Sequence, residues 1–474
     1  MTAPDLAALR DLLGPPGVLS APADLERYLV DERRLYRGRA AAVLRPDSTH
    51  ALATAVAWCH AHGVAMVPQG GNTGYCGGAT PDESGQQVVI SLERMTRVRR
   101  VDASAFALTV EAGATLASVQ AAAHDAGLLF PLSMGSEGSA QIGGALSTNA
   151  GGLAVLRYGT ARDLVLGLEV VLPDGRVWDG LRVLRKDNTG YDLKHCFIGA
   201  EGTLGIISAA VLKLFPAQSQ RETAWLAVDD LAAACRVLAA LRHRLGDAMT
   251  SFEYISGESL ALVLANVPDT SAPQVVSPAH VLVEIAAGEG HGLRETFERA
   301  LLALSDEGLV RDAVLAQNET QRRACWRLRE TIPAAEKQLG GSVKHDVSVQ
   351  IDRLPALERA ARSAVLAHVP TARLSVYGHV GDGNLHFNVL APADADPVPF
   401  KTAHAEAVST LVHEAASVLD GSFSAEHGVG KLKRELLRDV EGPLAIELMR
   451  RLKQAFDPLG LMNPGKVLLP PDAP

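Results

Sequence analysis

The chain has 474 residues, 47% of them hydrophobic and 21% charged, as in an ordinary globular protein. This length exceeds what one hydrophobic core supports and predicts two or three domains. Acidic residues outnumber basic ones by 54 to 45, so the net charge of −9 argues against a nucleic-acid partner and a polybasic membrane patch. An acidic protein with an anionic substrate must concentrate positive charge locally, in arginine, lysine or a metal ion.

The N-terminal sequence and the cysteines indicate a cytoplasmic protein. Residues 1–5 lack the basic stretch and the apolar run of a secretory signal. No apolar segment is long enough to predict a transmembrane helix. The five cysteines form no C-x-x-C pair, which favours reduced thiols over a disulfide framework or a zinc ribbon.

The first part of the chain alternates short helices, strands and glycine-rich loops. Residues before about 40 predict helical pieces broken at Pro15-Pro16. A helix capped by Asp47 or Ser48 is expected to run to His62. Further elements are expected at 64–67 (strand), 108–110 (strand) and 115–126 (helix).

After Pro216 the pattern changes to long amphipathic helices alternating with strands, which predicts a sheet backed by helices. Helices are expected near 230–245, 292–306, 318–339, 353–367 and 400–419, and strands near 251–256, 280–287, 343–350, 372–379 and 385–390. The last forty-odd residues predict a helix and a tail that returns to the first domain. The predicted segments are 1–40, 41–216, 217–430 and 431–474.

Three glycine-rich loops in the first part favour the binding of a diphosphate. They are residues 70–78, 135–152 and 199–207. Glycines let backbone N–H groups converge on an anion, and the interleaved Ser, Thr and Asn residues add donors. The chain has neither the G-x-G-x-x-G fingerprint after a strand nor a P-loop, which argues against a Rossmann nicotinamide site and a P-loop nucleotidase. The alternative interpretation is that the loops are tight turns between strands.

The segment Tyr377–Asn388 predicts a metal-binding hairpin. Asp382-Gly383 is typical of a two-residue turn, because both central residues adopt positive φ. Such a turn places His379 directly opposite His386, with Cβ atoms about 5 Å apart. Tyr377 and Asn388 share that face of the ribbon. Two imidazoles so placed favour a divalent metal site, although one histidine could instead be a satisfied polar group and the other a surface residue.

A third ligand, a carboxylate or another histidine, is expected from elsewhere in the chain. Glu426-His427, flanked by Gly428 and Gly430, is the best candidate, because the glycines would let the backbone approach a ligand closely.

These motifs resemble the flavoproteins of the vanillyl-alcohol oxidase/p-cresol methylhydroxylase family, and within it the metal-containing D-2-hydroxyacid dehydrogenases. The similarity runs from about residue 40 to Lys466, and its last motif is Asn463-Pro464-Gly465-Lys466. The resemblance implies an α+β fold. It comprises a two-subdomain FAD-binding domain over 41–216, an antiparallel-sheet substrate domain over 217–430, and a C-terminal segment over 431–474 that returns to the flavin.

The resemblance also implies specific roles for residues. Non-covalent FAD is expected, since Asn72 stands where some relatives carry a flavin-linked histidine. A divalent metal, zinc or sometimes manganese, would be bound by His379, His386 and Glu426. His427 would be the catalytic base. The residues implied in FAD binding are Pro68, Gly70, Gly71, Asn72, Thr73, Gly74, Pro131, Gly135, Ser136, Ser139, Ile142, Gly143, Gly144, Asn149, Gly151, Gly152, Glu201, Gly202, Gly205, Ile206, Asn463 and Lys466.

The resemblance implies substrate contacts for Arg329, Lys344, Asn388 and Tyr377. The stretches that carry Arg329 and Lys344 are most similar to those of D-2-hydroxyglutarate dehydrogenases. Pro333 departs from that pattern and keeps D-lactate or glycolate as the alternative substrate. Arg329 could instead pair with a glutamate of its own helix, and Lys344 could be solvated. The electron acceptor is expected to be a quinone, an electron-transfer flavoprotein or a cytochrome, and homodimers are common among such enzymes. A subunit without turnover of its own and an oxidase that uses O₂ are the competing interpretations.

Overall fold

The computed structural model describes residues 6–273, 277–290 and 292–470. Its strands are β1 Val18–Leu19, β2 Ala42–Leu44, β3 Met66–Gln69, β4 Val88–Ser91, β5 Val98–Asp102, β6 Ala107–Glu111, β7 Leu128–Leu129, β8 Val165–Val171, β9 Val177–Gly180, β10 Ile206–Lys213, β11 Phe215–Pro216, β12 Gln220–Val228, β13 Met249–Ser256, β14 Ala279–Ala287, β15 Asp312–Leu315, β16 Asp346–Ser348, β17 Arg373–His379 and β18 Asn384–Leu390.

The helices are α1 Leu6–Leu13, α2 Pro22–Leu25, α3 Thr49–Ala61, α4 Leu116–Asp125, α5 Ile142–Ser147, α6 Val155–Tyr158, α7 Lys194–Phe197, α8 Leu231–Leu245, α9 Gly257–Asn266, α10 Leu293–Asp306, α11 Glu319–Glu330, α12 Ile332–Gln338, α13 Leu354–His368, α14 Pro397–Ser417, α15 Arg434–Val440 and α16 Pro443–Phe456. No helix in the described part of the chain combines the length and apolarity needed to cross a membrane.

The chain folds into two compact units that do not follow the sequence in single blocks. Unit 1 contains the chain up to Gly152, residues Gly159–Ala217, and the chain from Glu426 onward. Unit 2 contains Leu153–Tyr158 and Gln218–Ala425. The C-terminal segment therefore belongs to the same unit as the three glycine-rich loops.

Unit 1 is built on two main sheets. The first has the order β1-β2-β4-β3, with β2, β4 and β3 parallel, and the second is antiparallel with the order β5-β6-β10-β8-β9. Helix α3 begins where expected, because the Ser48 hydroxyl accepts a hydrogen bond from the Ala51 N–H at 3.2 Å. The glycine-rich loops follow strand β3, surround helix α5 and precede strand β10.

Unit 2 is a seven-stranded antiparallel sheet, in the order β15-β12-β14-β13-β17-β18-β16, with helices on both faces. Successive side chains of a strand enter different cores: Leu226 packs on one face and Trp225 on the other. The first core includes helices α8, α10, α13 and α14. The second is smaller, includes residues of α9, α11 and α12, and contains Tyr377.

Three expectations about unit 2 and the C-terminus were wrong in detail. The helix predicted at 318–339 is two helices, α11 and α12, which meet at Thr331. Pro333 lies in the first turn of α12, where its missing N–H costs no hydrogen bond, and so it starts a new helix. The strand predicted at 343–350 is continuous over Asp346–Ser348, with a separate bridge between Val343 and Val389, and the single C-terminal helix is two, α15 and α16.

Candidate active site

The first glycine loop, residues 70–78, leaves strand β3 and depends on close backbone packing. A Cβ atom at Gly71 would lie 2.0 Å from the Ser139 carbonyl oxygen, so only glycine fits there. Asn72 has a positive φ of 55°, and its side-chain amide donates to the Val30 carbonyl at 2.9 Å. Thr73 is half-buried, and the space above the Cα of Gly74 is open. The first and second glycine loops are therefore neighbours in unit 1.

The second and third glycine loops are joined by backbone hydrogen bonds at the end of helix α5. The Gly199 N–H donates to the Leu146 carbonyl at 3.0 Å, and the Glu201 N–H donates to the Ser147 carbonyl at 2.8 Å. Asn149 has a φ of 49°, and its side-chain oxygen accepts hydrogen bonds from within unit 1. All three loops are therefore brought together, as the sequence predicted.

The other loop residues implied in FAD binding lie in the same part of unit 1. A Cβ atom added to several of these glycines would crowd a neighbouring residue: Ala112 at Gly143, Ser133 at Gly152, Pro68 at Gly202 and Val170 at Gly205. Those at Gly135 and Gly144 meet no atom within 4 Å, and that at Gly70 meets none closer than 3.5 Å. The Ser139 N–H donates to the Ser136 carbonyl at 2.9 Å, and Pro131, Ile142 and Ile206 are buried. Gly151 leaves room for Glu426, whose carboxylate oxygen would lie 2.8 Å from a Cβ there.

The C-terminal tail returns to these loops through Asn463. Its N–H donates to the Met66 carbonyl at 2.8 Å, and its side-chain amide donates to the carbonyls of Gly78 and Glu201 at 3.0 and 2.8 Å. Asn463 therefore ties the tail to the first and third glycine loops.

Buried polar groups around the loops fit a large polar guest such as FAD. The side-chain oxygens of Gln141 and Asn463 are buried and have no hydrogen-bond partner among the described residues. Buried groups of this kind need a partner. Burial lowers the pKa of Lys466 to about 8, an effect that nearby Lys431 reinforces and Asp82 opposes. The hydroxyl and N–H groups of FAD would donate to these two oxygens, and its diphosphate would supply negative charge for Lys466.

The predicted catalytic base, His427, lies against the first glycine loop. Its ring contacts Tyr75 of that loop, with 4.9 Å between ring centroids. The Cys76 thiol donates to the Gly428 carbonyl at 3.3 Å, and the Cys76 carbonyl accepts from the Lys431 N–H at 2.8 Å. The segment that carries His427 is thus packed on the FAD-loop side of unit 1.

The two predicted metal-ligand histidines are close together, but the predicted strand register was wrong. Tyr377, not His379, lies opposite His386, because the connection is a turn at Val380–Asp382 followed by Gly383 with a φ of 85°. Four residues therefore join the strands, and the pairing shifts by two. His379 becomes the diagonal neighbour of His386, with 5.5 Å between ring centroids and ring nitrogens within 4.8 Å.

Tyr377 and Asn388 share the face of the two histidines, as predicted. The Tyr377 and His386 rings lie 5.0 Å apart, and the Asn388 amide is 3.4 Å from the Tyr377 hydroxyl. Asp346 pairs with His386 in the sheet, and its carboxylate is 3.8 Å from His386 Nδ1. A carboxylate near the second nitrogen of an imidazole is the usual environment of a metal-ligating histidine.

Arg329 and His379 both bind the carboxylate of Glu253. Arg329 Nε donates at 2.8 Å and His379 Nδ1 at 2.6 Å, and all three residues are buried. The guanidinium of Arg329 also lies over the Tyr377 ring, 4.7 Å from its centroid. The alternative pairing of Arg329 with a glutamate of its own helix is therefore wrong, because its partner is on strand β13.

Lys344 and Asn388 are held by a second buried carboxylate, that of Glu336 on helix α12. Lys344 Nζ donates at 2.6 Å and the Asn388 amide at 2.9 Å, while the Ser342 hydroxyl donates at 2.8 Å. Lys344 is therefore paired rather than merely solvated.

The residues that sequence reasoning missed are Tyr75, Cys76, Glu253, Glu336 and Asp346. Asp346 follows Lys344 by two residues, a spacing that puts both side chains on one face of a strand, and this was a usable signal. Glu253 lies 126 residues from His379, and nothing in the local sequence joins the two.

Residues 40–180 match the family model of the FAD binding domain, and residues 217–467 match that of the C-terminal domain of FAD-linked oxidases. The chain belongs to the FAD-linked oxidase family. These matches confirm FAD as the cofactor of the family to which the chain belongs. The metal ion and the role of each site residue stay predictions.

Curated relatives of this family are similar along nearly the whole chain. The mitochondrial D-2-hydroxyglutarate dehydrogenase of Bos taurus is 40% identical over 468 residues, which cover 98% of this chain and 83% of the relative. That of Arabidopsis thaliana is 35% identical over 98% of this chain and 81% of the relative. The D-2-hydroxyglutarate dehydrogenase of Stutzerimonas stutzeri is 36% identical over 98% of this chain and 99% of the relative.

Solved structures confirm the predicted fold. Substrate-bound p-cresol methylhydroxylase has a TM-score of 0.78 at 18% identity, covering 99% of this chain and 97% of the other. Alkyldihydroxyacetonephosphate synthase has a TM-score of 0.74 at 17% identity, covering 98% and 86%. The α+β fold of the p-cresol methylhydroxylase type is therefore established for this chain.

Proposed function

We propose that the protein oxidises D-2-hydroxyglutarate to 2-oxoglutarate with FAD as the oxidant. The observation that carries the proposal is the similarity to D-2-hydroxyglutarate dehydrogenases of an animal, a plant and a bacterium over 98% of this chain. The pairing of Arg329 and Lys344 with buried carboxylates on one face of unit 2 supports it, because it fixes two cations for an acidic substrate.

The reaction removes a proton from the substrate hydroxyl and a hydride from C2. FAD, when bound, supplies the two-electron oxidant that accepts the hydride. His427 takes the hydroxyl proton, and a positioned general base of this kind contributes typically about 10²–10⁴-fold. The contact of its ring with Tyr75 supports this role, because Tyr75 belongs to the first glycine loop, which is implied in FAD binding.

Arg329 is proposed to bind a carboxylate of the substrate. Its Nε donates a hydrogen bond to Glu253, but neither Nη group forms a hydrogen bond with the described residues. Guanidinium Nη groups bind carboxylates well. The Glu253 ion pair and the Tyr377 ring hold the guanidinium in place. Lys344, Asn388 and Tyr377 are proposed to complete the substrate contacts.

A divalent metal, zinc rather than manganese, is proposed at His379 and His386, with Glu426 as the third ligand. Glu426 directly follows Ala425, whose N–H donates at 3.2 Å to the carbonyl of Asp346, the sheet partner of His386. Two imidazoles and a carboxylate are a donor set that zinc accepts. When bound, such an ion would act as a Lewis acid toward the substrate hydroxyl.

The electrons are proposed to leave through an acceptor other than a Rossmann-bound nicotinamide. We propose a quinone, an electron-transfer flavoprotein or a cytochrome. The cytoplasmic location and a homodimeric state stay predictions.

A steady-state assay with an artificial dye acceptor and a panel of 2-hydroxyacids tests the substrate. We expect the highest kcat/KM with D-2-hydroxyglutarate, and no turnover of L-enantiomers. D-lactate is the second candidate, because Pro333 at the start of helix α12 departs from the D-2-hydroxyglutarate dehydrogenase pattern that the resemblance implies. A higher kcat/KM for D-lactate than for D-2-hydroxyglutarate would establish that alternative.

A further inference from the structure

The carboxylate of Glu201 holds two consecutive backbone amides of the segment that follows His427. One carboxylate oxygen accepts from the Val429 N–H at 2.7 Å and the other from the Gly430 N–H at 2.8 Å. Burial raises the pKa of the Glu201 carboxyl, and the hydrogen bonds from these two amides oppose that effect. All of these residues belong to unit 1.

The segment after His427 fits closely between Glu201 and Cys76. A Cβ atom at Gly428 would lie 2.8 Å from a Glu201 carboxylate oxygen, and one at Gly430 would lie 2.2 Å from the Cys76 carbonyl. Gly428 and Gly430 have φ values of 72° and 52°. Because glycine backbones are conformationally permissive, the path of this segment depends on such external contacts.

Glu201 is itself anchored on its other side to the flavin-binding loops. Its N–H donates to the Ser147 carbonyl, and its carbonyl accepts from the Asn463 amide at 2.8 Å. Its φ of 50° is unusual for a residue with a side chain and turns the carboxylate toward the His427 segment. One residue therefore connects the second glycine loop, the C-terminal tail and the segment that carries the proposed base.

We propose that Glu201 is a positioning residue, which fixes the Gly428–Gly430 backbone and thereby sets the His427 imidazole relative to the flavin-binding loops. The family resemblance implied a cofactor contact for Glu201, whereas in the structure its carboxylate accepts hydrogen bonds from two backbone amides. The inference rests on the proposed role of His427 as base.

The first test is a double-mutant cycle in the FAD-loaded enzyme, read out as the rate of anaerobic flavin reduction by D-2-hydroxyglutarate. Glu201→Gln retains the size but offers one acceptor and one donor, so one amide loses its partner. We expect a reduction rate about 10- to 100-fold lower with normal flavin content, since small displacements of a reacting group cost that much. In the His427→Asn background, Glu201→Gln should change the rate less than about twofold.

Glu169→Gln is the matched control, because Glu169 is a buried carboxylate of unit 1 that accepts hydrogen bonds from Thr49 and Ser208 at 2.6 and 2.8 Å. It should retain the wild-type reduction rate. Two results would overturn the positioning role. One is an equal fold-decrease in the reduction rate from Glu201→Gln with His427 present and with His427→Asn; the other is a rate decrease that lost flavin explains.

Hydrogen exchange separates this inference from the proposed function. If His427→Asn alone leaves flavin reduction unchanged, the proposed base is wrong, and exchange at Val429 and Gly430 then decides the role of Glu201. We expect these amides to exchange at least about 10-fold faster in Glu201→Gln and to be unchanged in Glu169→Gln. Wild-type protection in Glu201→Gln would contradict the inference.

Discussion

Glu253 accepts a hydrogen bond from Nδ1 of His379 at 2.6 Å, and its second oxygen accepts one from Nε of Arg329 at 2.8 Å. Burial opposes ionisation of this carboxyl, but its interactions with His379 and Arg329 outweigh burial and lower the pKa of Glu253 to about 2. A single carboxylate therefore orients a proposed metal ligand and a proposed substrate ligand at once.

Replacing Glu253 by glutamine should weaken both functions. A glutamine oxygen accepts from only one of the two partners, which leaves a buried cation poorly compensated. We expect the free energy of unfolding in urea to fall by about 3–5 kcal/mol. Zinc affinity, measured by competition with a chelator, should fall about 10- to 100-fold.

Glu319→Gln is the control for this experiment, because Glu319 is half-exposed and pairs with Arg322 and Arg323 on its own helix. Its unfolding free energy should change by less than about 1 kcal/mol. Equal losses in the two variants would contradict the linking role of Glu253.

Replacing Arg329 by alanine should raise KM for D-2-hydroxyglutarate more than for D-lactate, because only the former has a distal carboxylate. A charge-assisted hydrogen bond contributes about 1.5–3 kcal/mol, so we expect an increase of about 10- to 100-fold. Arg327→Ala is the matched control, since Arg327 is exposed on the same helix and donates to the Pro268 carbonyl. Equal KM increases for both substrates would argue against the role in distal-carboxylate binding.

Replacing Gly430 by alanine should destabilise unit 1. The new Cβ would lie 2.2 Å from the Cys76 carbonyl, at a φ of 52°. Left-handed backbone at a residue with a side chain costs about 1–3 kcal/mol, and the clash adds to it. Thermal unfolding should show a clearly lower Tm. Gly442→Ala is the comparison, because the space there is open; a Tm for Gly430→Ala no lower than for Gly442→Ala would show that the segment shifts freely.

The affinity for FAD should fall as pH rises above about 8. Burial lowers the pKa of Lys466 to about 8, so the apoprotein loses this positive charge well below the usual lysine pKa. Protonated Lys466 attracts an anionic cofactor, whereas the neutral amine does not.

The same shift affects the stability of the apoprotein. Between pH 8 and about 10.4 the unfolded chain binds more protons at Lys466 than the folded apoprotein does, so the free energy of unfolding of the apoprotein rises with pH over this range.

Fluorescence titration of apoprotein with FAD between pH 7 and pH 9.5 measures this effect. Lys466→Met should have a weaker affinity at pH 7 and a flatter dependence on pH. The same pH slope in the variant and the wild type would rule out Lys466 as its source.

Local sequence signals predicted the glycine loops of unit 1, the start of helix α3 and the return of the C-terminal tail to the first domain. Glycine spacing located the three loops, and Ser48 marked the start of α3, because these features depend on neighbours in the chain. The tail motif at Asn463 was expected to return to the first domain, and its hydrogen bonds to Gly78 and Glu201 agree with that expectation.

Long-range electrostatic partners could not be predicted in the same way. Glu253 lies on strand β13 and Glu336 on helix α12, so the tertiary fold brings them to their donors. Each lies far along the chain from at least one of those donors. The hairpin register was wrong because Asp382-Gly383 was taken as the whole turn, whereas Val380 and Gly381 also belong to the connection. Turn length depends on how both strands pair with their other neighbours, which the local sequence does not show.

Anaerobic reduction of the bound flavin by D-2-hydroxyglutarate tests the central claim most directly. We expect stoichiometric D-2-hydroxyglutarate to bleach the flavin spectrum and to yield one 2-oxoglutarate per FAD, while the L-enantiomer leaves the spectrum unchanged. A flavin that stays oxidised with D-2-hydroxyglutarate but is reduced readily by another donor would contradict the proposed dehydrogenation.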